Sequence, residues 1–439
     1  MAEKIFLSKN NRQKSGSIVP RSILWPFILL TSCFAWWGLA NNMTDTLLAA
    51  FKRIMSMSDF QTSWIQIAFY GSYFCLALPA AIFITRFTFK AGVLLGLGLF
   101  IGGALLFCPA SKSMNYFHFL AALYILAGGL SILETSANPY VIAMGPEESG
   151  TRRLNLAQSF NPVGSVIGIF LSKYFILSHL HSATPEERAA MSPEMLRQIQ
   201  SQELAAVMGP YVAVAFVLII IWILIAVNKN MPRASDAGSP LHLRGSLVRL
   251  FRRRHYVWGV IAQFFYVGAQ IGVWSFTIRY VMKELQLNEA AASTYYLASL
   301  ILFGVARFIC TALMKFITPE NLLAGLGLLA MGLTLIVIFA GGYGGVLALV
   351  AVSGCMSLMF PTIFGLAVRG LGGETKIGGS GLIMAILGGA VFPALQGGVS
   401  DLLHSINLAY FVPLICFVVV TYYGLFACRQ KVSPVRVEK

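Results

Sequence analysis

The sequence predicts an all-α membrane protein of twelve transmembrane helices in two six-helix bundles. Three observations predict it: too little charge to cover a water-facing surface, a regular succession of apolar stretches, and a basic loop that divides them in half. The 439 residues are 57% hydrophobic and 11% charged, with a mean hydropathy of +0.75. Soluble domains carry about 25% charged residues, so this chain must be solvated mainly by lipid. Its net charge of +15 does not indicate nucleic acid. The Lys and Arg residues lie between and outside the apolar runs, not on a patch interleaved with exposed aromatics.

Crossing the hydrocarbon takes about 20 helical residues. Candidate spans fall at 23–50, 62–85, 91–109, 116–144, 154–177, 208–227, 255–282, 291–316, 321–341, 344–369, 376–402 and 406–428. The first follows a basic segment (Lys4, Lys9, Arg12, Lys14, Arg21) and runs too far, without an A-x-A site, for a cleaved signal peptide. Pro79, Pro139, Pro162, Pro361 and Pro393 interrupt several spans, as transmembrane helices tolerate. The seven cysteines are scattered, with no CxxC and no neighbouring His, so neither a metal site nor a cofactor is expected.

The loop at 228–254 holds Lys229, Arg233, Arg244, Arg249, Arg252, Arg253 and Arg254 against one acid, Asp236. It separates a bundle at 23–227 from one at 255–428, leaving a segment at 1–22 and a tail at 429–439. Basic residues gather on one side: both chain ends, Arg86 and Lys90, Arg152 and Arg153, the central loop, Lys315, Arg369 and Lys376. The positive-inside rule makes that side cytoplasmic, with Lys52 and Arg53 in the first outer turn as the contrary pair. Opposite lie an uncharged turn at 341–345 and a loop at 178–206 in which acids outnumber bases. Two six-helix halves joined by a basic linker suggest bundles related by an axis along the membrane normal.

Of the 17 acids, all but Asp45 and Glu134 fall in loops, tails or at span ends. An ionised acid at a helix centre costs about 2.5–3.5 kcal/mol, so such a residue is a functional candidate by default. Asn41 and Asn42 precede Asp45 by four and three residues, and Asn138 follows Glu134 by four, so each acid shares a helix face with an amide. Acids and amides together answer a hydroxyl, which both donates and accepts. Asn155, Gln158 and Asn161 form one stripe in span five; Gln66, Tyr70 and Tyr73 form one in span two. In span seven Gln263, Tyr266, Gln270 and Trp274 share a face, and an aromatic ring there suits the apolar face of a pyranose. Interhelical hydrogen bonding is the alternative for each stripe. No His lies centrally in a span, so the two acids are the candidate proton carriers, since burial favours the neutral form of a carboxyl. Sodium coupling is the alternative, with Asp45 and a neighbouring Asn beginning an oxygen cluster. Arg307, near the inner end of span eight, reads as a cytoplasmic gate or cap rather than a sugar ligand. The Gly-rich run at 378–381 lacks the Lys-Ser/Thr of a phosphate loop and reads as close helix packing.

The chain resembles the fucose permease family of the major facilitator superfamily, which comprises fucose:H⁺ symporters and their glucose/galactose relatives. The residues that carry the resemblance are Ala40-Asn41-Asn42 with Asp45, Leu133 through Pro139, Arg153 through Gln158 with Phe160-Asn161, and Ala262-Gln263 with Tyr266 through Gln270 and Trp274. It implies the major facilitator fold, with a central cavity between the halves. It also implies that Asp45 and Glu134 are the essential acids, and that Asn42, Gln158 and Asn161 meet the sugar. Fucose permeases carry Gln-Tyr before the proline of span ten, where this chain has Met359-Phe360-Pro361.

The expected function is proton-coupled import of a monosaccharide, L-fucose foremost, by alternating access in a bacterial inner membrane, with both termini cytoplasmic and the chain monomeric. Glu134 and Asp45 are expected to couple protons; Asn42, Asp45, Gln158, Asn161, Asn138, Gln270 and Trp274 to hold the sugar. Another hexose or sodium coupling remains open. A multidrug exporter would use a wider apolar cavity with fewer paired amides, and an enzyme has no supporting constellation.

Overall fold

The computed structural model describes residues 18–54, 59–176, 187–188, 190–232 and 243–429. Among these, twelve helical stretches are long and apolar enough to cross a membrane. The first four are α1 (Leu24–Ile54), α2 (Asp59–Arg86), α3 (Phe89–Ser113) and α4 (Tyr116–Ala143). The fifth span is broken into α5 (Gly150–Gln158) and α6 (Phe160–Leu171), and the sixth is α7 (Pro193–Val227). After a linker helix, α8 (Leu243–Arg252), come α9 (Arg254–Leu285), α10 (Glu289–Leu313) and α11 (Pro319–Phe339). The tenth span is broken into α12 (Gly342–Met356) and α13 (Met359–Ala367), the eleventh into α14 (Thr375–Met384) and α15 (Gly388–Leu403), and α16 (Phe411–Leu425) is the last.

Local chemistry sets several ends. Thr88 caps α3 by accepting from Ala91 N at 3.0 Å, and Asn288 caps α10 by accepting from Ala291 N at 2.9 Å. The turn before α12 carries Gly341 and Gly342 at φ +60° and +55°, a left-handed backbone that other residues avoid.

Two regions differ from the sequence reading. The loop expected at 178–206 is helical from Pro193 onward: Ser192 accepts from Met195 N at 3.3 Å and Pro193 sits in the first turn, a start signal that hydropathy alone passes over. Within it Glu203 forms a buried two-pronged ion pair with Arg188, at 2.5 and 2.9 Å. In the basic linker, α8 is an amphipathic helix packed on α9 and α14, and residues 233–242 lie outside the described residues.

Glycine sets the closest helix approaches, as expected where lipid supplies no hydrophobic drive for association. A Cβ on Gly96 of α3 would lie 2.6 Å from Leu133 N of α4, and one on Gly129 of α4 would press on α3 at Phe100. On α6, a Cβ on Gly164 would overlap the Ala35 carbonyl of α1. The halves meet along α5 with α13, and α14 with α2 and α4. Asn155 Nδ2 donates to Thr362 Oγ1 at 3.1 Å, Arg152 Nε to Thr311 O at 3.3 Å, and Gly370 N to Glu147 Oε1 at 3.0 Å. All these contacts lie toward the end of the molecule that carries Arg152, Arg369 and Lys376.

Candidate functional site

Above that seam the halves enclose a cavity of about 150 Å³. Its walls come from both halves: Trp37 and Asn42 on α1, Tyr70 and Tyr73 on α2, Gln158 and Asn161 at the break of span five, Gln270 and Trp274 on α9, and Arg307 on α10. The remaining second-half wall is mostly apolar and includes Val267, Leu300, Phe303, Phe360 and Ile386.

The close crossing of α1 and α6 builds the amide wall. With no side chains at Gly38 and Gly164, the helices touch backbone to backbone, placing Asn161 against Gly38. Asn161 Nδ2 donates to Phe34 O at 3.3 Å, and Asn42 Nδ2 donates to Gly38 O at 3.2 Å. Both amides lie on the cavity wall. Gln158 Nε2 donates to Asn138 Oδ1 at 2.8 Å, so Asn138 lies wholly buried behind Gln158 and not on the wall. Asn138 therefore bonds the amide of span five, not the carboxyl one turn before it. Across the cavity, Trp274 Nε1 donates to Ser353 Oγ at 3.2 Å and its ring meets Phe303 edge-on.

Glu134 lies deep in α4 and is 1% exposed, with neither carboxyl oxygen hydrogen-bonded. Tyr73 lies beside it. The Tyr73 hydroxyl accepts from Trp37 Nε1 at 3.0 Å, so a chain of groups runs from the cavity wall to Glu134. A charged carboxylate with no cation beside it would bear a large desolvation penalty here. Asp45 sits on α1 three residues beyond Asn42; its side chain, like those of Asn41 and Gln66, lies outside the described residues.

Sequence reasoning underrated Arg307, which is buried at the cavity floor and donates to Gln158 O (3.1 Å) and to Ser357 O. Both carbonyls have lost their helical partners for one reason. The residue four positions on is a proline, Pro162 or Pro361, which has no N–H to give. One guanidinium thus replaces two hydrogen bonds that proline removes, one in each half, and its face packs on Phe303 at 4.5 Å. Both prolines and the intramembrane arginine are visible in the sequence, but their convergence is not. The span-seven stripe divides: Gln270 and Trp274 face the cavity, whereas Tyr266 is buried and donates to Met356 O at 3.0 Å. Gln263 is buried too, its amide without a partner among the described residues.

Broken helices that bring amides and an aromatic to a central cavity, with a buried acid behind it, define a multi-pass carrier of a small polar solute. The chain belongs to the Major Facilitator Superfamily, whose family model matches residues 27–395. It is 39% identical over 425 residues to the L-fucose-proton symporter of Haemophilus influenzae, covering 94% of this chain and 99% of that protein. Crystal structures of the E. coli fucose:proton symporter FucP, one of them in the outward conformation, share the fold with a TM-score of 0.87. They are 40% identical, covering 93% of this chain and 99% of that one. A glucose/galactose transporter of Brucella abortus is more distant, 33% identical over 405 residues that cover 91% of this chain and 93% of the relative.

Proposed function

We propose that this protein imports L-fucose together with a proton, by alternating access across a bacterial inner membrane with both termini cytoplasmic. One observation carries the coupling: Glu134 is buried beside the cavity with neither oxygen hydrogen-bonded and no ion pair among the described residues. In this state the acid is stable only with its proton. Release requires a rearrangement that brings water or a cation to it, which links proton movement to the movement of the halves. Asp45, one turn beyond Asn42, is the second candidate carrier.

Asn42, Gln158 and Asn161 meet sugar hydroxyls, Asn138 positions Gln158, and Gln270 and Trp274 close the site from the second half. Arg307 acts through Gln158 and is a positioning residue. The basic end of the molecule, where the halves are joined through Asn155 and Thr362, is the cytoplasmic end, so this conformation faces outward. L-fucose is favoured over galactose and glucose by relatives of about 40% rather than 33% identity. The apolar wall at Val267, Phe360 and Ile386 agrees: a 6-deoxy sugar presents a methyl group where glucose and galactose carry a hydroxymethyl.

The test is uptake by the purified protein in proteoliposomes, using labelled L-fucose with competing sugars at two external pH values. L-fucose entry should rise under an inward proton gradient and be displaced weakly by galactose and glucose. Displacement by glucose at equal concentration, or indifference to the gradient, contradicts the assignment.

A further inference from the structure

On one flank of the molecule an apolar groove of about 580 Å³ runs between α2, α9 and α14 and ends beneath α8. Phe74 and Leu78 line it from the first half, Val260 and Met384 from the second, and Phe251 from the linker helix. Its few polar side chains are already satisfied within the protein: Ser380 Oγ donates to Ile377 O at 2.7 Å, and Tyr256 Oη to Gly378 O at 2.9 Å. A sugar would find no partner there, and a hydrocarbon chain would find an apolar wall on each side.

The mouth of this groove is cationic. Phe251 and Tyr256, both on the wall, bracket Arg252, Arg253 and Arg254 in sequence. Arg249 and Arg253 are engaged with Glu374. Arg244, Arg252 and Arg254 are exposed and form no ion pair among the described residues. Helix α8 packs Leu243, Leu247 and Leu250 inward and leaves Phe251 72% exposed. A basic amphipathic helix of this kind lies in the plane of the membrane interface.

We propose that this groove binds an anionic phospholipid, with one acyl chain between the two halves and the phosphate held by Arg252 and Arg254. The observations favour an anionic lipid because Arg252 and Arg254, beside the groove-lining Phe251 and Tyr256 in the chain, are exposed, while Glu374 is already engaged twice. Each such arginine strengthens attachment to an anionic lipid roughly fivefold. Since α2 belongs to one half and α9 and α14 to the other, a bound chain also favours the conformation in which these helices are packed together.

The test titrates phosphatidylglycerol into the full-length protein in detergent and reads thermal stability. Phosphatidylcholine of the same chains and glycerophosphate serve as comparisons. Phosphatidylglycerol should raise the midpoint saturably, and the other two should not. Combining Arg252→Gln with Arg254→Gln should raise the half-saturating concentration roughly thirtyfold. Val260→Trp, which fills the groove, should abolish the saturable shift while sugar uptake in zwitterionic vesicles continues. An equal shift with phosphatidylcholine or with glycerophosphate alone overturns the proposal, as does an unchanged titration in either variant.

Discussion

Arg307 shows how one side chain can be held by defects in two helices. A buried guanidinium needs acceptors, and Pro162 and Pro361 supply them by leaving the carbonyls of Gln158 and Ser357 without helical donors. Hydrogen bonds to charged groups contribute about 1.5–3 kcal/mol each, so Arg307→Ala should lower stability by a few kcal/mol. Adding Pro162→Ala should restore part of the loss, because residue 162 then offers Gln158 O an N–H again. A double-mutant cycle read by thermal unfolding checks this; additive effects would mean the proline and the arginine are not linked. At this scale the sequence displayed the amides, the two acids and the prolines. It could not display that Asn138 serves Gln158 and not Glu134, since helix spacing places both on one face without saying which neighbour arrives from span five.

Among the elements, apolar length and loop charge made the spans legible. The broken fifth and tenth spans were half legible: Pro162 and Pro361 flagged irregularity, but not that another side chain, here Arg307, donates to the freed carbonyls. The outer extension of α7 was missed because its first turns are polar and its start depends on Ser192 and Pro193 rather than on hydropathy. Backbone contact between α1 and α6 positions Asn42 and Asn161, so that crossing is the element on which the amide wall of the cavity depends. Gly164→Ala should force the helices apart, lowering thermal stability and weakening L-fucose uptake. Gly209→Ala, where a Cβ meets nothing within 4 Å, is the matched control and should leave both unchanged. Equal behaviour of the two variants would remove the crossing from the account.

For the whole molecule, the halves are joined at the basic end through Asn155, Thr362 and the fit of Gly365, whose Cβ would lie 2.6 Å from Thr151 Oγ1. The central cavity and Glu134 lie above this seam. The two-half architecture was readable from the basic linker, but which face of each half meets the other was not, because interhelical amide pairs and ligand amides carry the same pattern. Transport in this arrangement requires the seam to open, and in the proposed coupling the proton on Glu134 ties that opening to the proton gradient. The most direct measurement compares the protein with Glu134→Gln in proteoliposomes, following both exchange of labelled L-fucose at equilibrium and its accumulation under an inward pH gradient. The glutamine, permanently neutral, should still exchange sugar but not accumulate it; normal accumulation by Glu134→Gln would contradict the coupling role assigned to this acid.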